Sequence, residues 1–260
     1  MAVISPVGAA LTELSLGGAQ LISHQAAGRP DSMFFGSLLA PWPNRLAQGT
    51  YSFGGKELKH PILDAQGNAN HGLLFDRTCQ VVEQSESKIS FGYSFGEDIG
   101  YPFTVDLLVS YTITDDEFHL DATAKNLGDD APFGLGFHPY FLVGEKFRFS
   151  ADFTNQISVD QRMIPVGENS ISGLDYSGGN LDDCFYGAKR AYLETEEYGL
   201  EFSLLKGFEY FMLYRPMHSP VSLLAVEPMS CRTNAFNTDV SEVLLSKNET
   251  KTYSFSIRKR

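Results

Sequence analysis

The feature that most constrains this chain is an alternation of apolar and polar residues with a period of two. It is clearest in four segments: Ile89–Phe95, Val105–Ile113, Phe118–Ala124 and Tyr253–Ile257. Successive side chains of a β-strand point to opposite sides, so this alternation is typical of strands that bury one face and expose the other. We therefore expect a chain built mainly of antiparallel β-sheet.

Two further apolar runs, Tyr210–Tyr214 and Val221–Val226, do not alternate. Strands that are apolar on both sides are usually covered on both faces, so we expect these runs at the centre of a sheet. Glycine-rich turn signals such as Gly54-Gly55 separate the runs at short intervals. One short helix fits Asp31–Leu39, although Gly36 weakens it. The pattern predicts an all-β fold, a sandwich or a barrel.

The chain shows no division into parts. We find no linker, charge block, low-complexity segment or internal repeat in its 260 residues, and its hydrophobic content of 43% is enough for a sizeable core. We expect residues 1–260 to form a single domain.

Charge and cysteine content exclude several classes of function. A net charge of -12 argues against nucleic acid or an anionic membrane as a partner. Three widely spaced cysteines fit reduced thiols better than a disulfide framework or a zinc site. We find no basic, apolar leader and no apolar run near the ~20 residues that cross a bilayer. We expect a cytoplasmic protein.

Two titratable residues stand directly before a proline at the end of an apolar run, His138 and Glu227. A proline disfavours the helical region for the residue before it, so both side chains project from extended backbone. With usual pKa values of about 6.5 and about 4.3, they form a natural acid and base pair. A core histidine bonded to a backbone carbonyl, and a structural salt bridge of the glutamate, remain the alternatives.

Three other segments carry polar residues suited to a ligand. Arg45 follows a proline-rich segment and offers a planar fork of donors. His71 lies in a loop of glycine and asparagine that can adopt unusual backbone angles. Asp182 and Asp183 are adjacent, so only one of them can face a pocket from a strand. Trp42 could stack on a sugar, with ordinary packing as the alternative.

Common catalytic motifs are missing from the sequence. It contains no HExxH, GxSxG, P-loop or post-strand GxGxxG pattern, and its histidines and acids lack metal-ligand spacing. The residues alone therefore indicate an acid/base site in a β-rich enzyme.

Five motifs in this order along the chain resemble the aldose 1-epimerase (galactose mutarotase) family: PWPNR, NANHG, GFHPYF, LDD and VEPMSCRTNAFN. The resemblance implies a large antiparallel β-sandwich of the galactose mutarotase-like supersandwich type, with the sugar site in an open cleft. It also implies an enzyme that interconverts the α and β anomers of a free aldose without metal or cofactor. The expected partner is a small-molecule sugar, and the expected assembly is a monomer or a homodimer.

The resemblance also implies a role for individual residues. Glu227 matches the general base of the family and His138 matches its general acid. Residues that match the family's contacts to sugar hydroxyls are Asn44, Arg45, His71 and Asp182. Asp182 is chosen over Asp183 because it directly follows the leucine.

The chain departs in two places from the pattern of the galactose-directed members of the family. Many such members carry a glutamine where this chain has Met212, and the stretch Met229-Ser230-Cys231 also differs. This stretch is similar to a bacterial subgroup that includes sulfoquinovose mutarotases. The alternatives are an epimerase for an anionic sugar such as sulfoquinovose, and a non-catalytic carbohydrate-binding protein on the same fold.

Overall fold

The computed structural model describes residues 1–27 and 34–260. Strands dominate this part of the chain. The first thirteen are β1 (Ala2–Ser5), β2 (Ala10–Leu16), β3 (Ala19–Ser23), β4 (Leu38–Leu39), β5 (Arg45–Leu46), β6 (Thr50–Phe53), β7 (Lys56–Lys59), β8 (Ala69–Asn70), β9 (Gln80–Gln84), β10 (Lys88–Phe95), β11 (Val105–Ile113), β12 (Glu117–Asn126) and β13 (Ala131–Pro132). The others are β14 (Gly136–Phe137), β15 (Tyr140–Leu142), β16 (Phe147–Ala151), β17 (Asn155–Val159), β18 (Pro165–Ser170), β19 (Leu174–Tyr176), β20 (Asp182–Tyr186), β21 (Arg190–Thr195), β22 (Gly199–Lys206), β23 (Tyr210–Tyr214), β24 (Leu223–Met229), β25 (Leu244–Leu245) and β26 (Thr250–Lys259).

The helices of the described residues are short: α1 (His24–Ala27), α2 (Ala235–Thr238), α3 (Val240–Val243) and two 3₁₀ turns at Ala47–Gly49 and Leu74–Asp76. None of them has the length and apolar character that a membrane-spanning helix requires. The cytoplasmic location stays a prediction.

Two large antiparallel sheets organise the strands. One has nine strands in the order β19-β16-β21-β22-β26-β12-β11-β10-β9. The other has eight, in the order β18-β17-β20-β23-β24-β14-β4, with β15 also paired to β24. A three-stranded sheet, β1-β2-β3, and the two-stranded sheets β13-β25, β5-β8 and β6-β7 complete the pairings. The fold is the predicted all-β sandwich.

The four alternating segments form neighbouring strands of the nine-stranded sheet, β10, β11, β12 and β26. In β12 the buried side chains Phe118 and Leu120 alternate with the more exposed His119 and Asp121, as the sequence predicts. Apolar burial of this kind contributes about 1.5–3 kcal/mol per large side chain.

Aromatic side chains fill the space between the two large sheets. Phe141 of the eight-stranded sheet meets Phe202 of the nine-stranded sheet with ring centroids 5.1 Å apart. Phe137 packs near Phe118 and Phe255, at 6.5 and 6.4 Å. One continuous apolar cluster therefore joins the sheets. That residues 1–260 form a single domain stays a prediction.

Tyr210–Tyr214 forms β23, and residues 223–226 of the second run lie in β24. Both strands are at the centre of the eight-stranded sheet, and almost all of these residues are buried, as expected. Leu213 and Val226 belong to the core between the sheets. Met212 and Met229 belong to a separate, smaller cluster. This second cluster lies on the outer face of the sheet, and it is this face that carries the candidate site.

The helix considered for Asp31–Leu39 is wrong for its described part. Residues 34–36 form a turn and Leu38–Leu39 is a strand, while 31–33 lie outside the described residues. The strand pairs with β14, and Gly36 has a positive φ of 67°. A Cβ on Gly36 would lie 1.9 Å from the carbonyl oxygen of Leu11, so tertiary pairing and a close approach override the helical pattern.

Candidate active site

Strand register builds the floor of the candidate site on the outer face of β20, β23 and β24. In one row, Cys184 pairs with Met212, and Met212 pairs with Glu227. In the next row, Asp182 pairs with Tyr214. Paired residues and residues two apart in a strand share a face, so these five side chains project to the same side of the sheet.

Side chains from this face and from the loops around it line a cavity of about 350 Å³. This volume lies within the roughly 300–1,000 Å³ of small-molecule sites. The cavity brings together all six residues that the sequence analysis placed at the site: Asn44, Arg45, His71, His138, Asp182 and Glu227. Six more lining residues were not assigned from sequence: Phe34, Gln66, Asn70, Tyr140, Met212 and Tyr214.

A direct contact joins the two candidate catalytic residues. His138 Nε2 lies 3.3 Å from Glu227 Oε1, and only 4% and 2% of the two side chains are exposed. Burial raises the pKa of Glu227 well above its usual value, and nearby Asp182 adds to this while Arg45 opposes it. Burial lowers the pKa of His138 to about 3. The pair therefore favours a protonated carboxyl beside a neutral imidazole, the reverse of what the ordinary pKa values indicate.

A second pair of the same chemistry shows what burial changes. His119 Nε2 lies 3.1 Å from Glu117 Oε1 on β12, with 32% and 20% of the side chains exposed. Partial burial would raise the pKa of Glu117, but hydrogen bonds from Arg258 and His119 outweigh it, and the pKa is lowered. The partly buried Glu117 is thus ionised at neutral pH, which makes this pair a matched reference for the fully buried one.

His71 is locked to Asn44 by two reciprocal hydrogen bonds. The Asn44 backbone N–H donates to His71 Nδ1 at 3.2 Å, and the His71 N–H donates to the Asn44 carbonyl at 2.9 Å. Burial holds the pKa of His71 well below its usual value, and His138 and Arg45 act in the same direction. Because Nδ1 accepts, the proton of the neutral ring is on Nε2, which is a fixed donor.

Backbone conformation at this loop depends on a glycine. His71 has a φ of 61° and the next residue, Gly72, a φ of 72°. A Cβ on Gly72 would lie 2.2 Å from the carbonyl oxygen of Ala40. The unusual angles expected of this loop are therefore present, and the His71 backbone is held in a conformation that non-glycine residues adopt rarely.

The adjacent acids of β20 face opposite ways. Asp182 lines the cavity, where burial raises its pKa, Arg45 opposes this and Asp183 reinforces it. The Asp183 carboxylate instead accepts a hydrogen bond from Gln156 Nε2 at 2.8 Å. Asp182, which was chosen from sequence, thus lines the cavity, and its contact with a sugar stays a prediction.

Two further side chains, of Trp42 and Arg215, do not line the cavity. Trp42 is 2% exposed and packs its ring edge-on against His60 and Phe236. The Arg215 guanidinium lies over the ring of Phe147, 5.2 Å from its centroid. Trp42 therefore fits the packing alternative. In residues 1–27 and 34–260, no group of three or more His, Cys, Asp or Glu side chains is arranged to hold a metal ion.

Comparison with known proteins decides the family. The family model described as aldose 1-epimerase matches residues 1–258. The chain belongs to the aldose 1-epimerase family. The resemblance seen in the motifs is thereby confirmed, while the subgroup and the substrate stay predictions.

Several relatives of this family member are curated. An uncharacterized Escherichia coli (strain K12) protein, YihR, is 28% identical over 274 residues, covering 98% of this chain and 89% of the relative. The aldose 1-epimerase of the same organism is 31% identical over 147 residues, 53% of this chain and 40% of the relative. Galactose mutarotase of Homo sapiens is 27% identical over 145 residues, 52% of this chain and 42% of the relative.

Solved structures share the fold of this aldose 1-epimerase family member. A GalM/aldose epimerase homologue from C. elegans superposes with a TM-score of 0.85 at 19% identity, covering 100% of this chain and 95% of that chain. A galactose 1-epimerase from Lactobacillus acidophilus gives a TM-score of 0.81 at 16% identity, covering 98% and 89%. At these identities the likeness concerns the fold alone.

Proposed function

We propose that this protein is an aldose 1-epimerase that interconverts the α and β anomers of a free aldose, with Glu227 as base and His138 as acid. The observation that carries the proposal is their buried contact at 3.3 Å within a cavity lined by hydrogen-bonding side chains. Family membership supports sugar chemistry, and the curated aldose 1-epimerase and galactose mutarotases support this reaction in particular.

The reaction needs a group that takes a proton from the C1 hydroxyl and another that gives one to the ring oxygen O5. The pair holds one proton, and the hydrogen-bond distance between the two side chains lets it pass from Glu227 to His138. Glu227 Oε2 has no hydrogen-bond partner among the described residues, which leaves it to accept from the sugar. Glu227 then removes the C1 hydroxyl proton while His138 protonates O5.

Cleavage of the C1–O5 bond gives the open-chain aldehyde. Rotation about C1–C2 presents the other face of the carbonyl, and the ring closes with the two proton transfers reversed. Each group therefore acts once as acid and once as base. Positioned acid/base catalysis of this kind typically contributes about 10²–10⁴-fold per group.

The remaining polar residues hold the sugar while only C1 turns. We assign Asn44, Arg45 and Asp182 to sugar hydroxyls, and His71 to the region near the ring oxygen through its Nε2–H donor. Fixing these contacts in advance lowers the entropic cost of reaching the reactive geometry. Burial also serves the chemistry, because raising the pKa of Glu227 brings it nearer the working pH.

The test is to measure, by polarimetry or NMR, how fast freshly dissolved sugars mutarotate in the presence of the protein. We expect the protein to accelerate the anomeric exchange of at least one aldose in a panel of glucose, galactose and sulfoquinovose. Acceleration of sulfoquinovose alone would select the anionic-sugar alternative. Binding of a sugar by calorimetry without any acceleration would select the carbohydrate-binding alternative. The absence of both binding and acceleration for every sugar of the panel would contradict the proposal.

The two acids of β20 give a matched pair of variants. Asp182→Asn is expected to raise KM about 10-fold or more, since hydrogen bonds to charged groups contribute about 1.5–3 kcal/mol. Asp183→Asn is expected to leave KM within about 2-fold, because Asp183 contacts Gln156 rather than the cavity. Steady-state mutarotation kinetics measure both, and equal effects of the two changes would count against the assignment of Asp182.

A further inference from the structure

Arg45 is the one lysine or arginine that lines the cavity within the described residues. An arginine side chain has several freely rotating bonds, so it orients a ligand only when something else fixes its guanidinium. What holds Arg45 therefore bears directly on how the site recognises its sugar.

The Arg45 guanidinium is held by the carboxylate of Asp64. Its Oδ2 lies 3.3 Å from Arg45 Nε. Its Oδ1 accepts two backbone hydrogen bonds, from the N–H of Gln66 at 3.0 Å and from that of Asn68 at 2.8 Å. One carboxylate thus closes its own turn and binds the guanidinium.

The turn itself is tied at several points. The Asp64 N–H donates to the Asn68 carbonyl at 2.7 Å, and the Gly67 N–H donates to the Asp64 carbonyl at 3.0 Å. Arg162 reaches over from the β17–β18 hairpin, with Nη2 3.2 Å from both the Gly67 carbonyl and Asn68 Oδ1. Asp64 is consequently a rigid anchor rather than a mobile surface acid.

Contacts fix both the backbone and the guanidinium group of Arg45. Its backbone pairs with Asn70 across β5 and β8. Its Nη1 lies 3.5 Å from Asn44 Oδ1, and its Nε is bound by Asp64. Nη2 makes no hydrogen bond within the described residues, which leaves this nitrogen to donate to a ligand.

We propose that Asp64 is a positioning residue for sugar recognition, which holds the Arg45 guanidinium against the cavity and affects the substrate only through Arg45. The inference rests on the proposed function. The Arg45 and Asp64 side chains are 15% and 17% exposed, so their contact is largely shielded from solvent. The contact fixes where the guanidinium lies relative to the cavity.

The first test is Asp64→Asn, which keeps an oxygen acceptor for the turn and removes the charge that holds Arg45. We expect KM to rise about 10-fold while kcat changes less than about 3-fold, because the lost interaction affects binding before chemistry. The melting temperature should stay within a few degrees of wild type. The matched control is Asp175→Asn, which removes an exposed ion pair with Arg148 and should leave KM unchanged.

The second test is a double-mutant cycle with Arg45→Gln. If Asp64 acts through Arg45, adding Asp64→Asn to Arg45→Gln produces no further rise in KM. Independent, additive effects of the two changes would overturn the inference, and so would an unchanged KM in the single variant. If Asp64→Asn does not fold, Asp64→Ser replaces it, since a serine hydroxyl can accept from the same turn N–H groups.

Failure of the proposed function is distinguishable from failure of this inference. If the wild type binds sugar without accelerating mutarotation, the same cycle is read from dissociation constants measured by calorimetry. If Asp64→Asn weakens sugar affinity 10-fold in the wild type but not in the Arg45→Gln variant, the positioning role of Asp64 is still supported. A wild type that binds no aldose of the panel would overturn both.

Discussion

Glu227→Gln is expected to slow mutarotation by about 10²–10⁴-fold at pH 7. The amide keeps the size of the side chain and its contact with His138, but it cannot take the proton of the C1 hydroxyl. The rate constant from polarimetry at saturating sugar measures the loss. The matched control is Glu117→Gln, which alters the partly buried histidine–glutamate pair of β12 and should keep full activity.

The same substitution is expected to raise the melting temperature. Burial raises the pKa of Glu227 in the folded protein, so the unfolded chain loses its proton at a lower pH than the folded one. The stability associated with the protonated carboxyl is complete below the unfolded pKa and is lost as the pH rises through the folded pKa. The advantage of Glu227→Gln over wild type should thus grow from about pH 4.5 upwards.

Thermal unfolding at several pH values measures this difference. About 1 kcal/mol corresponds to a shift of roughly 2–4 °C in proteins of roughly 150–250 residues. Equal melting temperatures across the whole range would show that Glu227 has an ordinary pKa in the folded protein. Retained mutarotation in the variant would remove Glu227 from the mechanism.

His138→Asn is expected to lower the rate by a similar factor of about 10²–10⁴, because asparagine cannot protonate the ring oxygen. His119→Asn is the matched control, since His119 has a glutamate partner at nearly the same distance but is much less buried. Polarimetry at saturating sugar again separates them. Comparable rates for His138→Asn and His119→Asn would contradict the role of the buried histidine.

His138→Asn is also expected to change how the free energy of unfolding depends on pH below neutrality. Burial lowers the pKa of His138 to about 3, whereas the unfolded chain takes up this proton near pH 6.5. The wild type therefore loses stability as the pH falls from about 6.5 towards about 3. His138→Asn removes this contribution, so its unfolding free energy should decline less over that interval.

The strands could be predicted from the sequence wherever one face of the sheet is exposed to solvent, because the residues there alternate between apolar and polar. The run Val105–Ile113 coincides with β11, and Phe118–Ala124 lies within β12. The non-alternating runs were also placed correctly, because continuous apolar character requires cover on both sides. The helix predicted for Asp31–Leu39 was wrong in its described part, since Leu38 and Leu39 pair with β14, which is distant in sequence.

The site could be predicted only in part. His138 and Glu227 stood out locally because each precedes a proline, but their proximity depends on the pairing of β15 with β24. The reversal of their protonation preference follows from burial, which no local pattern contains. Asp64 carried no motif at all, and its contact with Arg45 arises from a turn that folds back on β5.

The alternation within β23 has a consequence for laboratory redesign. Met212 and Tyr214 line the cavity, whereas Phe211 and Leu213 belong to the core between the sheets. A library randomised at the first two positions would vary the pocket while keeping Phe211 and Leu213, the side chains of this strand in the core between the sheets. Selectivity for new sugars is thus open to directed evolution along a single strand.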